Sequence, residues 1–205
     1  CFYNILKRST ILSFCNTPKL LGTLDISSLD KKQMISYINE GKLKPNGMKQ
    51  TEDDIHKMSY FKNFKNEIIT LNKTILDKLE YEYEDILITS MWGNLLFPSQ
   101  THSPHTHSNN FLSGVFYLQS DDLSGEIEFF DPRPQAGVLS PRIKKGIMEN
   151  SNAIGFEPKD NMGLIFPSWL QHWVQPTNSK RISLSWNILV KGHYGAPNTL
   201  QNAYI

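Results

Sequence analysis

The sequence of 205 residues predicts an α+β protein in which N-terminal helices precede a β-sandwich or barrel. Apolar residues recur at helical spacing up to about residue 80, and short β-branched and aromatic runs take over from Asp85. Pro98, Pro104, Pro132, Pro134, Pro141, Pro158, Pro167 and Pro176 fall between or at the edges of those runs, where a missing amide donor costs least.

The first helix is expected over 28–40. Ser27 and Asp30 resemble a capping box, Leu29, Met34, Ile35 and Ile38 form an apolar stripe, and Gly41 supplies a stop. A second, longer helix is expected to open at Thr51 and Asp54 and to end near Glu80. Its buried face would carry Met58, Phe61, Phe64, Ile68, Leu71, Ile75 and Leu79, with His56 as an ordinary surface histidine.

Strands are expected over 86–92, 113–119, 125–130, 153–156, 163–166 and 181–191. The apolar segment Ile11 to Leu24 could add an edge strand or exchange between subunits, which makes a homodimer a candidate assembly. The segment Asp131 to Ser151, rich in Pro, Gly and basic residues, reads as a long loop: a lid, a binding element or a surface insertion. One domain spans 1–205, with a support region at 1–84, a β core at 85–191 and a tail at 192–205. Such a length can bury roughly two-thirds of the unfolded surface.

Lys plus Arg number 21 against 20 acidic residues, which counts against a nucleic-acid-binding stripe. Cys1 and Cys15 are too few for a disulfide scaffold and fit a reducing, cytoplasmic compartment, or a host cytoplasm if the gene is viral. No run approaches a membrane span, and Asn4, Lys7 and Arg8 interrupt the N-terminal apolar stretch before it could serve as a signal core. A start at Cys1 points to residues missing ahead of it or to processing.

The chemistry concentrates in three histidines and an arginine. His105 and His107 form an HxH pair, and alternate residues of an extended segment share one face. His172 on a neighbouring strand would complete a three-cornered metal site, although three imidazoles suit zinc and other divalent ions as well as iron. Arg181 offers a fixed positive charge whose fork matches a carboxylate. Ser183 and Ser185 share its face by alternation. By residue type and context alone, Tyr117 reads as core aromatic and Asn94 as a strand-end turn residue. His102 reads as solvated, and His193 as surface or interface.

These residues sit in motifs that resemble a known family. His105 to His107, Leu112 to Leu118 (LSGVFYL), Phe129 to Arg133 (FFDPR), Phe166 to Pro176 (FPSWLQHWVQP) and Arg181 to Asn187 (RISLSWN) follow in order, with Trp92-Gly93-Asn94 upstream. Residues 92–187 thereby resemble the core of the iron(II)- and 2-oxoglutarate-dependent oxygenases, and are similar to the prolyl-hydroxylase-like group with its bacterial and phage members. The resemblance implies a double-stranded β-helix (jelly-roll or cupin-like) core. It implies Fe(II) on His105, His107 and His172, 2-oxoglutarate held by Arg181 with Tyr117, Ser183 and Asn94, and O2 as the other co-substrate. The implied reaction hydroxylates an aliphatic carbon of a small molecule or peptide and releases succinate and CO2. Trp169, Trp173, Phe111 and Phe166 would shield the site, and Asp131 with Arg133 would fix a loop beside it.

One position departs from the superfamily pattern. His107 stands where most members carry a carboxylate. Two other readings therefore accompany the oxygenase: a non-catalytic metal-binding β-sandwich, and a cupin-type dioxygenase with three histidines and no co-substrate, which leaves Arg181 unexplained.

Overall fold

The computed structural model describes residues 6–14, 17–24, 28–43 and 47–205. Ser27 of the expected cap, Cys1 and Cys15 lie outside the described residues. In chain order the elements are β1 (Leu6–Phe14), β2 (Thr17–Leu24), α1 (Ser28–Asn39), β3 (Lys42–Leu43), β4 (Lys49–Gln50), α2 (Lys62–Lys78), β5 (Asp85–Leu96), β6 (His102–His105), β7 (Leu112–Gln119), β8 (Ile127–Phe130), β9 (Ala153–Phe156), β10 (Met162–Pro167), β11 (His172–Val174), β12 (Arg181–Lys191), β13 (His193–Tyr194) and β14 (Ala203–Tyr204). The helices precede the main run of strands as expected, but an N-terminal hairpin comes before them and the short β3 and β4 lie between α1 and α2.

Two antiparallel sheets make the core. The larger runs β1-β2-β10-β7-β12-β5-β4-β3 and the smaller β6-β11-β8-β9. The segment read as a candidate edge strand folds as β1 and β2, with β2 pairing against β10 through Leu21↔Leu164. Residues of the expected tail form a separate two-stranded pair, His193↔Tyr204.

The central strands of the large sheet are buried on both faces, and alternation sorts their side chains. From β12, Ile182, Leu184, Trp186 and Ile188 join a cluster with Met34 and Ile38 of α1 and Phe64, Ile68, Leu71 and Ile75 of α2. Phe64 meets Phe116 at 5.2 Å and Trp186 edge-on at 6.0 Å between ring centroids. Burying each such side chain contributes about 1.5–3 kcal/mol. On the opposite face, Val115 and Tyr117 of β7 and Leu164 and Phe166 of β10 pack with Ile127 and Phe129 of the small sheet. The helices thus cover one face of the large sheet and the small sheet covers the other.

The second helix is shorter than its periodicity suggests. Residues 55–57 and 59–61 are single 3-10 turns and the α-helix starts at Lys62. The cause is local. Thr51 N donates to Gly93 O at 3.0 Å, Gly93 N donates to Thr51 Oγ1 at 2.9 Å, and Met91 N donates to Asp53 O at 2.7 Å, so residues 51–53 are drawn onto the edge of β5 and cannot begin a helix. The tight turns nevertheless keep Ile55 and Phe61 fully buried, which preserves the apolar stripe.

Two glycines allow close approach, Gly93 between the large sheet and α1 and Gly114 beside Trp186 on the neighbouring strand. A Cβ on Gly93 would lie 2.4 Å from Ile38 of α1, and one on Gly114 would lie 2.1 Å from the Trp186 ring. The Trp186 indole is fully buried and packed edge-on by Phe64, which restricts its room to yield. Gly114→Ala is expected to destabilise the fold by about 1–3 kcal/mol through overpacking, measured by urea unfolding with an unchanged m-value.

No helix among the described residues is long and apolar enough to cross a membrane.

Candidate active site

The small sheet brings the histidines together. β6 and β11 pair antiparallel with His105 directly opposite His172, and Phe129 of β8 lies opposite His172 on the other side. Neither β6 nor β11 stands out in the sequence, because each is short and β6 contains Pro104. As an edge strand β6 tolerates that proline. His107 lies two residues beyond the end of β6, its backbone N–H donating to Ser168 O at 2.9 Å.

The ligating atoms of the three histidines all lie within 4.8 Å of one another. His107 Nε2 and His172 Nε2 are 3.3 Å apart. Two nitrogens each about 2.1 Å from a shared ion, at ordinary coordination angles, are separated by roughly that distance. His105 Nδ1 donates to Ser103 O at 2.7 Å and His172 Nδ1 to Leu170 O at 2.9 Å. A carbonyl can only accept, so these bonds fix the Nδ1–H tautomer and leave both Nε2 lone pairs free to ligate. Burial pushes the His172 imidazole down to about 3 and that of His107 down to about 4. At neutral pH both are therefore uncharged, the form a metal requires.

A pocket opens beside the triad, between the two sheets. Asn94 and Trp92 of β5 and Arg181, Ser183 and Ser185 of β12 line it, and Phe166, Ile127 and Val174 provide its apolar wall. The register explains the gathering: Ser183 lies opposite Asn94 on one side and Tyr117 on the other, and Ser185 lies opposite Trp92. Arg181 is only 2% exposed, and its side chain makes one long contact, from Nη1 to Ser183 Oγ at 3.5 Å. Among the described residues no carboxylate pairs with it. The guanidinium lies over the Tyr117 ring, 4.8 Å from the centroid. Arg181 Nε, Tyr117 Oη and His102 Nε2 are all buried without a hydrogen-bond partner. Burial raises the Tyr117 hydroxyl above its usual range against the opposing pull of Arg181, so it remains a neutral donor. A buried cation ringed by unsatisfied donors fits an anionic ligand that accepts from several groups at once.

Residues 90–187 match the family model described as "Putative 2OG-Fe(II) oxygenase". Over that span, a little under half of the chain, the sequence is similar to the 2OG-Fe(II) oxygenases. Among curated protein sequences none matches it. A Pseudomonas putida prolyl-4-hydroxylase is similar in fold at 15% identity and a TM-score of 0.59, over 82% of this chain and 91% of that one. A Trichoplax adhaerens prolyl hydroxylase, solved with a peptide fragment of the hypoxia inducible factor oxygen degradation domain, gives 10%, 0.59 and 83% of each chain. The epimerase SnoN, in complex with Fe3+, alpha ketoglutarate and nogalamycin RO, gives 11%, 0.60, and 91% and 90%.

The structure brings His105, His107, His172, Asn94, Arg181 and Ser183 around one pocket, with Tyr117 beneath the guanidinium. His102 corrects an expectation. Its Nε2 is buried and it lines the pocket instead of being solvated; burial and the nearby Arg181 charge push its imidazole down to about 4. Alternation gave no signal for it, because a residue three before His105 is expected on the opposite face; an irregularity in the β6–β11 register brings it round to the pocket. Of the four expected shielding aromatics only Phe166 lines the pocket. Trp169 is 56% exposed, Trp173 donates to Glu128, and Phe111 packs against the helical core. Asp131 and Arg133 pair with each other, Nη2 to Oδ2 at 2.7 Å, in the loop that begins where Phe130 N donates to Gln171 O next to His172. His56 is half-buried with an unpartnered Nδ1, whereas His193 is exposed and rests against Tyr204.

The triad geometry has a direct test. His172→Ala and His107→Ala are each expected to weaken Co(II) binding by more than 10-fold and to change its visible spectrum, while His193→Ala leaves both unaltered.

Proposed function

We propose that the protein is an Fe(II)- and 2-oxoglutarate-dependent dioxygenase on a double-stranded β-helix core, hydroxylating an aliphatic carbon of a small molecule or peptide. The single observation that carries this reading is Arg181, a buried guanidinium without a counter-ion at the wall of the pocket that also holds the triad. Leaving such a charge unpaired is costly, and a metal-binding scaffold without a co-substrate gains nothing from it. Both the non-catalytic sandwich and the three-histidine dioxygenase lacking a co-substrate leave it unexplained.

In this reading His105, His107 and His172 hold the metal. Arg181 grips the distal carboxylate of 2-oxoglutarate with Tyr117 Oη and Ser183 Oγ as further donors, and His102 closes the same end. Asn94 faces the metal end, its amide oriented by donation to Ser185 Oγ at 3.3 Å and by acceptance from Gln50 Nε2 at 3.1 Å. The bound metal and co-substrate supply the oxidising chemistry: 2-oxoglutarate, O2 and a substrate C–H give succinate, CO2 and C–OH. The chain itself orients and desolvates. Phe166, Ile127 and Val174 exclude water from the pocket, which strengthens the Arg181 contact and protects a reactive centre. Related folds act on both substrate sizes, since the Trichoplax adhaerens enzyme is bound to a peptide and SnoN to nogalamycin RO.

The experiment is release of succinate and CO2 from 2-oxoglutarate by the Fe(II)-loaded protein, alone and with a substrate library. No turnover together with no 2-oxoglutarate binding would refute the proposal. Arg181→Met separates function from stability. It should weaken 2-oxoglutarate binding by at least about 100-fold, the scale of losing one partner of a buried ion pair. The metal-free, ligand-free variant should melt higher than the parent, because the uncompensated charge is gone. Only the parent should gain Tm on addition of 2-oxoglutarate.

A further inference from the structure

Three motif residues have no part in ligand binding as described, yet they are joined. Ser113 belongs to the LSG sequence, Ser168 to FPSW and Asn187 to SWN, and all three are buried: 1%, 0% and 6% exposed. Ser113 Oγ donates to Asn187 Oδ1 at 2.7 Å, and Asn187 Nδ2 donates to Ser90 Oγ at 2.9 Å. The Ser113 proton being thus committed, the 2.8 Å contact between Ser168 Oγ and Ser113 Oγ must be donated by Ser168. The chain of donors has one direction, from Ser168 through Ser113 and Asn187 to Ser90. Register makes it possible, because Asn187 lies opposite Ser113 on one side and Ser90 on the other.

Ser168 also clasps the segment that carries the second HxH histidine. Its carbonyl accepts from His107 N at 2.9 Å, its N–H donates to Phe111 O at 3.0 Å, and its hydroxyl reaches Ser113 at the start of β7. Three groups of residues 107–113 therefore close on one side chain and its backbone. That segment needs a clasp: His107 lies outside any strand, and Asn109 turns it through a left-handed conformation at φ 61°. His105 and His172 are held in register by strand pairing, whereas His107 is not.

We infer that the Ser168–Ser113–Asn187 chain is a positioning device for His107, setting the third corner of the metal site through the backbone. The inference rests on the metal-site reading above. Burying three polar side chains in place of apolar ones gains little stability in itself, but a fully satisfied network admits a single geometry. The residues act through His107 and do not touch the metal.

A double-mutant cycle read by Co(II) titration tests this. Ser168→Ala should weaken Co(II) binding about 10-fold or more, the scale of removing a group that orients a ligand, and should shift the visible spectrum. In a His107→Ala background the same substitution should cause no further loss. Equal loss in both backgrounds would mean general destabilisation and would overturn the inference. Ser113→Ala breaks the same bond from its other end and should behave alike, which covers a Ser168 variant that fails to fold. A second readout needs no metal: amide exchange at His107 in the metal-free protein should accelerate in either variant, while that of Leu184 in β12 does not. Unchanged exchange at His107 would overturn the inference even if Co(II) binds. If the parent protein takes up no Co(II) while His107 exchange does accelerate, the metal reading fails, and the inference fails with it as a metal-positioning device.

Discussion

The site depends on the two-faced register of β12. That strand is paired on both edges and covered on both faces, so each residue has one admissible direction. Its even-numbered members from Ile182 to Ile188 anchor the helices, which leaves Arg181, Ser183, Ser185 and Asn187 facing the small sheet. A slip of one residue would send the guanidinium into the helical core and Trp186 toward the histidine triad, which is why the large apolar side chains guard the polar ones. The helices therefore contribute to the chemistry without approaching it. Met34, Ile38, Phe64 and Ile68 fix the register, and the register delivers the polar row.

Period-two and period-3.6 patterns made the major strands and both helices legible, and the HxH pair and Arg181 that stand out in the sequence line one pocket. Alternation also placed Ser183 and Ser185 beside Arg181, as found. What escaped had weak local signals. β6 and β11 are three or four residues long and exist because they pair with each other and with β8, a tertiary cause invisible in a short window. His102 could not be recognised as a pocket residue without β6. The 3-10 turns before α2 were hidden because Thr51 and Asp53 are captured by β5, a contact with residues some forty positions away. Trp169 misled in the opposite direction, since a tryptophan within a motif reads as a wall but here stands outside it.

The serine–asparagine chain adds a reason for motif spacing that ligand contacts do not supply. LSG, FPSW and SWN lie far apart in sequence, and each contributes one polar group to a single buried line. Such a line is intolerant of partial change, because removing one member leaves a neighbour unsatisfied in an apolar setting. It also divides labour within the triad. Two histidines are placed by sheet pairing and the third by a clasp, so the corner occupied by His107 is the one with freedom to vary in residue type without disturbing the sheet.

That freedom bears on the electrostatics. Three neutral imidazoles bring no negative charge to a divalent ion, where two imidazoles and a carboxylate would bring one unit. Arg181 adds a further positive charge in the same pocket, and no acid among the described residues offsets it. Burial already holds His102 and His172 neutral, and for His102 the nearby Arg181 charge adds to that effect. A dianionic co-substrate held between the histidine triad and Arg181 would relieve both ends together. A histidine at 107 and the unpaired Arg181 would thus act in the same sense: each would make the pocket more dependent on an anionic co-substrate, and metal and 2-oxoglutarate should bind with positive coupling because each supplies charge that the other lacks.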